Sequence, residues 1–156
     1  MIAVLKLAYK FLPKNLINWI GKNRMLQGIR TSILRPDGKL VIHRDRITFD
    51  GASFIFQAPM RTLVKASTKG IEPGLIRHLK RVIRDTGKTS YNVFDIGANY
   101  GFVSLALRAG DPNISQVVMF EPHPRLHALL EESISLNQFR NVKVEHLAVG
   151  DQVGIS

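Results

Sequence analysis

The chain has 156 residues, a length that matches one ordinary domain and can hold a real core. It is 45% hydrophobic and 22% charged, which excludes a disordered or fibrous protein, and its lack of cysteine excludes a disulfide framework, a thiolate zinc site and a cysteine nucleophile. The net charge of +10 is unevenly placed: through Lys88 there are 18 basic and five acidic residues, whereas from Tyr91 onward there are four basic and seven acidic. The basic part and the chemical part of the chain are therefore expected to be different parts.

Residues 1–30 read as a basic amphipathic helical segment. Leu5, Ala8, Tyr9, Leu12, Leu16, Ile17 and Trp19-Ile20 recur at helical spacing, with Lys6, Lys10, Lys14 and Lys22 between them, and Pro13 divides the run into two short helices. Lys6 and Lys10 interrupt the apolar stretch that a signal peptide needs. No stretch approaches the roughly 18 apolar residues of a spanning helix. Two readings stay open: the apolar face docks on the domain, or the segment lies peripherally in a membrane interface. Nucleic acid is disfavoured as a partner, because overall basicity alone is a weak signal. The expected location is cytoplasmic, with contact at the membrane face under the second reading.

Residues 31–70 read as a β-rich lead-in, a small β element beside the main sheet. Ile33-Leu34 and Leu40-Val41-Ile42 flank a turn at Pro36-Asp37-Gly38. Ile47, Phe49, Phe54 and Phe56 form a further β-prone run, broken at Asp50-Gly51. Residues 71–156 form the third division. Ile71 to Ile83 is expected to be a helix, with Leu75, Ile76, Leu79, Val82 and Ile83 on its apolar stripe and Pro73 near its start. His78, beside that stripe, is packed or solvated rather than a ligand.

The signal then sharpens. Tyr91-Asn92-Val93-Phe94 is a β-prone run ending at Asp95. A glycine-rich turn, Ile96-Gly97-Ala98-Asn99-Tyr100-Gly101, leads into a helix from Phe102 that stops at Gly110-Asp111-Pro112. A second strand, Gln116 to Phe120, ends in Glu121, and Pro122-His123-Pro124 leads into a helix from Arg125 to Leu136. Val142 to Leu147 is a third strand, followed by a turn at Ala148-Val149-Gly150-Asp151. The order β-α-β-α-β is half of a doubly wound sheet, so the fold class is α/β. Gly97 and Gly101 permit a tight turn and close approach of a ligand, and Asn99 tolerates a positive φ. Asp95 places a carboxylate at the carboxyl end of its strand, where open α/β sheets bind ligands, and Glu121 ends the next strand at a spacing that suits a ribose diol.

A dinucleotide fingerprint counted from Gly97 needs glycine at 99 and glycine or alanine at 102. Asn99 and Phe102 break it twice, which disfavours a nicotinamide-dependent oxidoreductase, the alternative enzyme reading. The Lys-Ser/Thr of a phosphate-gripping loop is absent too. His123 and His127 stand four apart but lack a third ligand, so no metal is expected.

Four pieces together resemble the FkbM-type family of S-adenosylmethionine-dependent, class I methyltransferases. They are Phe94 to Phe102, Phe120-Glu121-Pro122-His123-Pro124, Leu136-Asn137, and Ala148-Val149-Gly150-Asp151. They stand in family order and at family-like spacing, and Ile71-Glu72-Pro73 looks like the segment leading into that domain. The resemblance spans roughly residues 70–151. It implies a Rossmann-like doubly wound sheet, represented by its first three strands and preceded by N-terminal helices and a small β element, with S-adenosyl-L-methionine as cofactor. It implies that Asp95, Gly97, Asn99 and Gly101 form the methionine-side loop, that Glu121 holds the ribose hydroxyls with His123 nearby, and that Ala148 lies in the stretch lining the adenine. The implied reaction is methyl transfer to a hydroxyl, on a carbohydrate or another small natural product. The family's acceptor pocket and base usually come from later strands, so no catalytic residue is named; the chain is read as a methyltransferase represented by its cofactor-binding half, with its activity in this form left open. A non-catalytic, basic membrane-associated module is the remaining alternative.

Overall fold

The computed structural model describes residues 41–151 and Gly154. The segment 1–30 and the turn expected at Pro36-Asp37-Gly38 lie outside the described residues.

Two strands, β1 (Ile42–Phe49) and β2 (Ala52–Pro59), form a two-stranded sheet. Their connection is Asp50-Gly51, with φ of 50° and 80°. Two consecutive positive φ values are what a two-residue hairpin turn demands, and Asp-Gly supplies them at low cost. The break read in the sequence at Asp50-Gly51 is thus a hairpin loop. Helix α1 (Met60–Lys69) follows directly and packs on β2 through Leu63 and Ala66. The sequence reading of 31–70 as β-rich did not contain this helix, because it follows directly on the β-prone run of β2. Helix α2 (Pro73–Asp85) matches its predicted position and buries Ile76 and Ile83.

The main sheet is parallel, in the order β3 (Tyr91–Ile96), β4 (Ile114–Phe120), β5 (Val142–Glu145). Its crossovers are α3 (Phe102–Gly110) and α4 (Pro124–Leu136). This is the half-wound α/β arrangement read from the sequence. Strand β5 ends at Glu145, two residues early, because a turn with the Leu147 N–H donating to the Glu145 carbonyl takes over. Helix α4 begins one residue early, with Pro124 at the first helical position, where its missing N–H costs nothing.

The hairpin and the main sheet sandwich the two crossovers: α3 packs on both β4 and β2, and α4 on both β5 and β2. Phe102, the first residue of α3, sits among the rings of Phe49, Phe54 and Phe56 at centroid distances of 5.2–5.5 Å, all edge-to-face. Asn137 clamps the other helix. Its amide donates to the Ile55 carbonyl and accepts from the Ile55 N–H, at 2.8 and 2.7 Å, so one side chain completes the backbone pairing of β2. The hairpin therefore holds both crossover helices, and through α3 it steadies the loop that precedes Phe102.

Among the described residues, strand β3 pairs on one side only, with β4. Its burial alternates, and the face turned away from α3 and α4 carries Phe94 and Ile96, which are 65% and 62% exposed. Phe94 stacks on Phe120 of the neighbouring strand at 6.3 Å.

Candidate cofactor site

In a parallel sheet all carboxyl ends lie on one edge. Asp95, Glu121 and the segment after Glu145 are therefore brought to the same edge, together with the loops that follow each strand.

The β3–α3 loop is built on left-handed residues. Gly97, Asn99 and Gly101 have φ of 77°, 55° and 73°. Two of them need glycine for different reasons. A side chain at Gly101 would meet Leu130 Cδ2 at 2.5 Å, so that glycine serves packing. A side chain at Gly97 would meet nothing within 4 Å, so that position opens onto free space at the sheet edge. The Gly97 and Ala98 N–H groups donate to the Phe120 carbonyl at 2.9 and 3.1 Å, and the Gly101 N–H closes the turn on the Ala98 carbonyl at 2.7 Å.

Glu121 ties this loop to the next. Its Oε2 accepts the Asn99 N–H at 2.8 Å and its Oε1 accepts the His123 N–H at 3.0 Å. It is only 6% exposed. A carboxylate has about four acceptor positions, so one remains on each oxygen. The sequence reading gave Glu121 a ligand role alone; the structure shows it bridging two loops. His123 caps α4, its Nδ1 accepting the Arg125 N–H at 3.2 Å, and its exposed ring stands at the rim. His127, four residues along, lies against the His146 ring at 4.9 Å. His146 also contacts the Pro122 carbonyl at 2.9 Å, pinning the exit of β5 to the β4–α4 loop. Ala148 follows in an exposed, irregular segment with no side-chain contact that would fix a role for it. Among the described residues no group of three histidine or acidic side chains is arranged to hold a metal ion.

Asp95 is half-buried, and its Oδ2 accepts the Ser104 hydroxyl at 2.6 Å. Burial pushes its carboxyl above the ordinary range. The Ser104 hydrogen bond pulls it partly back, and the negative charges of Glu72 and Glu121 push it up again. Sequence reasoning missed Ser104 and the charge of Glu72. Ser104 had a signal: it is one of only two polar residues in an otherwise apolar helix, and it is fully buried. Glu72 had none beyond its place before Pro73, since its proximity to Asp95 is set by the packing of α2. The site thus combines an open backbone cradle, a half-buried carboxylate whose charged form is disfavoured in isolation, and a second carboxylate with acceptor positions to spare. Such a site is complementary to a ligand carrying a cationic group and a diol.

No family model matches the chain, and no curated protein matches it. Among solved structures, the chain is similar to the crystal structure of wild-type Trm5b from Pyrococcus abyssi, at 22% identity and a TM-score of 0.43, over 69% of this chain and 28% of that one. The chain thus spans little more than a quarter of that protein's length.

Proposed function

We propose that the chain carries the S-adenosylmethionine-binding half of a class I methyltransferase of FkbM type, acting on a hydroxyl of a carbohydrate or another small natural product. The observation that carries this reading is the convergence of Asp95, Glu121 and the open face of Gly97 on one edge of the sheet. S-adenosylmethionine has a cationic sulfonium and ammonium and a ribose diol, and the residues fit each group. Asp95 would balance the positive charge, Glu121 would accept from the diol, and Gly97 would let the ligand lie against the backbone. When bound, the cofactor supplies an electrophilic methyl group. The protein's own contribution is then largely positioning. A nicotinamide dinucleotide fits less well. Its fingerprint needs a small residue at 102, and Phe102 is fixed there by three aromatic neighbours of the hairpin.

Equilibrium dialysis with labelled S-adenosylmethionine tests the reading. The wild-type chain should bind with a Kd below millimolar, and S-adenosylhomocysteine should compete. Gly97→Ala adds a methyl group in open space at a positive φ, so it should cost only about 1–2 kcal/mol of stability while weakening binding at least tenfold. Absence of wild-type binding on a folded chain, or undiminished binding by Gly97→Ala, would overturn it.

A further inference from the structure

One buried hydroxyl is not explained by the helix that carries it. Ser67 and Thr68 on α1 turn their hydroxyls back onto the Val64 carbonyl of their own helix, and Ser133 on α4 does the same onto that of Leu129. That is the ordinary fate of a hydroxyl within a helix. Ser104, in the first turn of α3, does otherwise. Its hydroxyl leaves the helix and donates to Asp95 Oδ2 at the end of β3, at 2.6 Å. Ser104 is 1% exposed, in a helix whose Phe102, Leu105, Ala106 and Leu107 are also buried. Packing and helix formation there would be served better by alanine, which brings no polar atom to bury. The carboxylate, by contrast, needs the hydroxyl. Its burial, the charge of Glu72 at the start of α2 and the charge of Glu121 at the end of β4 all favour the neutral acid. Among the described residues Ser104 is the one group that favours the charged form. Asp95 Oδ1 accepts no hydrogen bond among the described residues, so the hold on Oδ2 leaves the other oxygen to a ligand.

We propose that Ser104 is a positioning residue of the cofactor site: by holding Oδ2 it fixes the Asp95 carboxylate against α3 and leaves Oδ1 to meet the ligand's cationic group. The role rests on the cofactor reading of the same edge. Asp95 makes the contact, and Ser104 acts through it, by fixing the orientation of the carboxylate and by stabilising the charge that a cation requires.

The test compares S104A with wild type in the full chain, by two measurements. Alanine is smaller and the better helix former, so S104A should fold. Carbon-13 NMR follows the Asp95 carboxyl against pH with no cofactor present. Removing a donor to the charged form favours the neutral one, so S104A should titrate about one pH unit higher. Calorimetry then follows S-adenosylmethionine affinity against pH. Where affinity still climbs with pH, S104A should bind about tenfold more weakly, because a displacement of one pH unit is a factor of ten there. At the high-pH plateau the two curves should converge. In the D95N background, S104A should change affinity by less than about twofold at every pH. A merely structural hydroxyl would lower affinity by one factor at all pH values and in both backgrounds. That pattern, or an Asp95 titration unmoved by S104A, would overturn the assignment of Ser104 and leave the cofactor reading standing. Absence of S-adenosylmethionine binding by the folded wild-type chain would overturn the cofactor reading, and with it the role of Ser104 toward that ligand, however the carboxyl titrates.

Discussion

Replacing Asp95 by asparagine separates the carboxylate's role in the site from its role in the fold. Asparagine keeps the shape and can still accept the Ser104 hydroxyl, but it removes the charge. Because burial raises the carboxyl's pKa in the folded state, the protein holds the Asp95 proton more tightly than the unfolded chain does. The stability linked to this group is therefore fully present below the ordinary carboxylate range and is lost as pH rises through the raised value. Above the ordinary carboxylate range the Asp95 carboxyl is therefore a burden on the protein, and Asp95→Asn should raise the midpoint of thermal unfolding at neutral pH. Binding should move the other way. Losing a charge-assisted contact costs about 1.5–3 kcal/mol, so the affinity for S-adenosylmethionine should fall roughly 10- to 150-fold. Wild-type affinity should also rise with pH as Asp95 ionises and then level off, and the variant should lack that rise. Calorimetric titration across pH, paired with thermal unfolding, checks both halves. Unchanged affinity, or a variant less stable than wild type at neutral pH, would refute the reasoning.

Phe102→Ala empties the centre of a four-ring cluster and should cost about 3–5 kcal/mol in denaturant unfolding. Asn137→Ala leaves the Ile55 N–H and carbonyl without their partner and should cost about 1–3 kcal/mol, seen in the same assay. Glu121→Gln presents an amide N–H₂ to one of two backbone donors, so it should lower both stability and cofactor affinity, while His123→Ala, at the exposed rim, should change stability by about 1 kcal/mol or less, the scale of a lost cap. Phe94 and Ile96 expose an apolar face of β3, through which the protein should self-associate. Phe94→Ser with Ile96→Thr should reduce that association in sedimentation velocity, and an unchanged distribution would show that the face is not sticky.

The half-wound sheet was legible because each of its signals is local. Short β-prone apolar runs end at Asp95 and at Glu121, and Gly97, Asn99 and Gly101 announce the left-handed turn that the backbone adopts. Helix α1 was missed although its sequence is amphipathic, with Leu63 and Ala66 three apart on its buried face, because it follows directly on the β-prone run of β2. The second duty of Glu121 was also hidden. Its partners, the N–H groups of Asn99 and His123, are backbone atoms that any sequence would supply, and only the loop geometry brings them to one carboxylate. Phe102 is an instructive intermediate. The sequence shows that it breaks a dinucleotide fingerprint, but the reason, a hairpin whose rings lie 46 to 53 residues upstream and enclose its own, belongs to tertiary packing.

Under the proposed function, the edge formed by Asp95, Gly97 and Glu121 should hold a cationic, diol-bearing cofactor. Parallel calorimetric titrations of the full chain with S-adenosylmethionine and with NADH test it most directly. Saturable one-to-one binding of S-adenosylmethionine, with NADH at least 100-fold weaker, is the expected result; equal or tighter binding of NADH, or no heat from either on a folded chain, would contradict it.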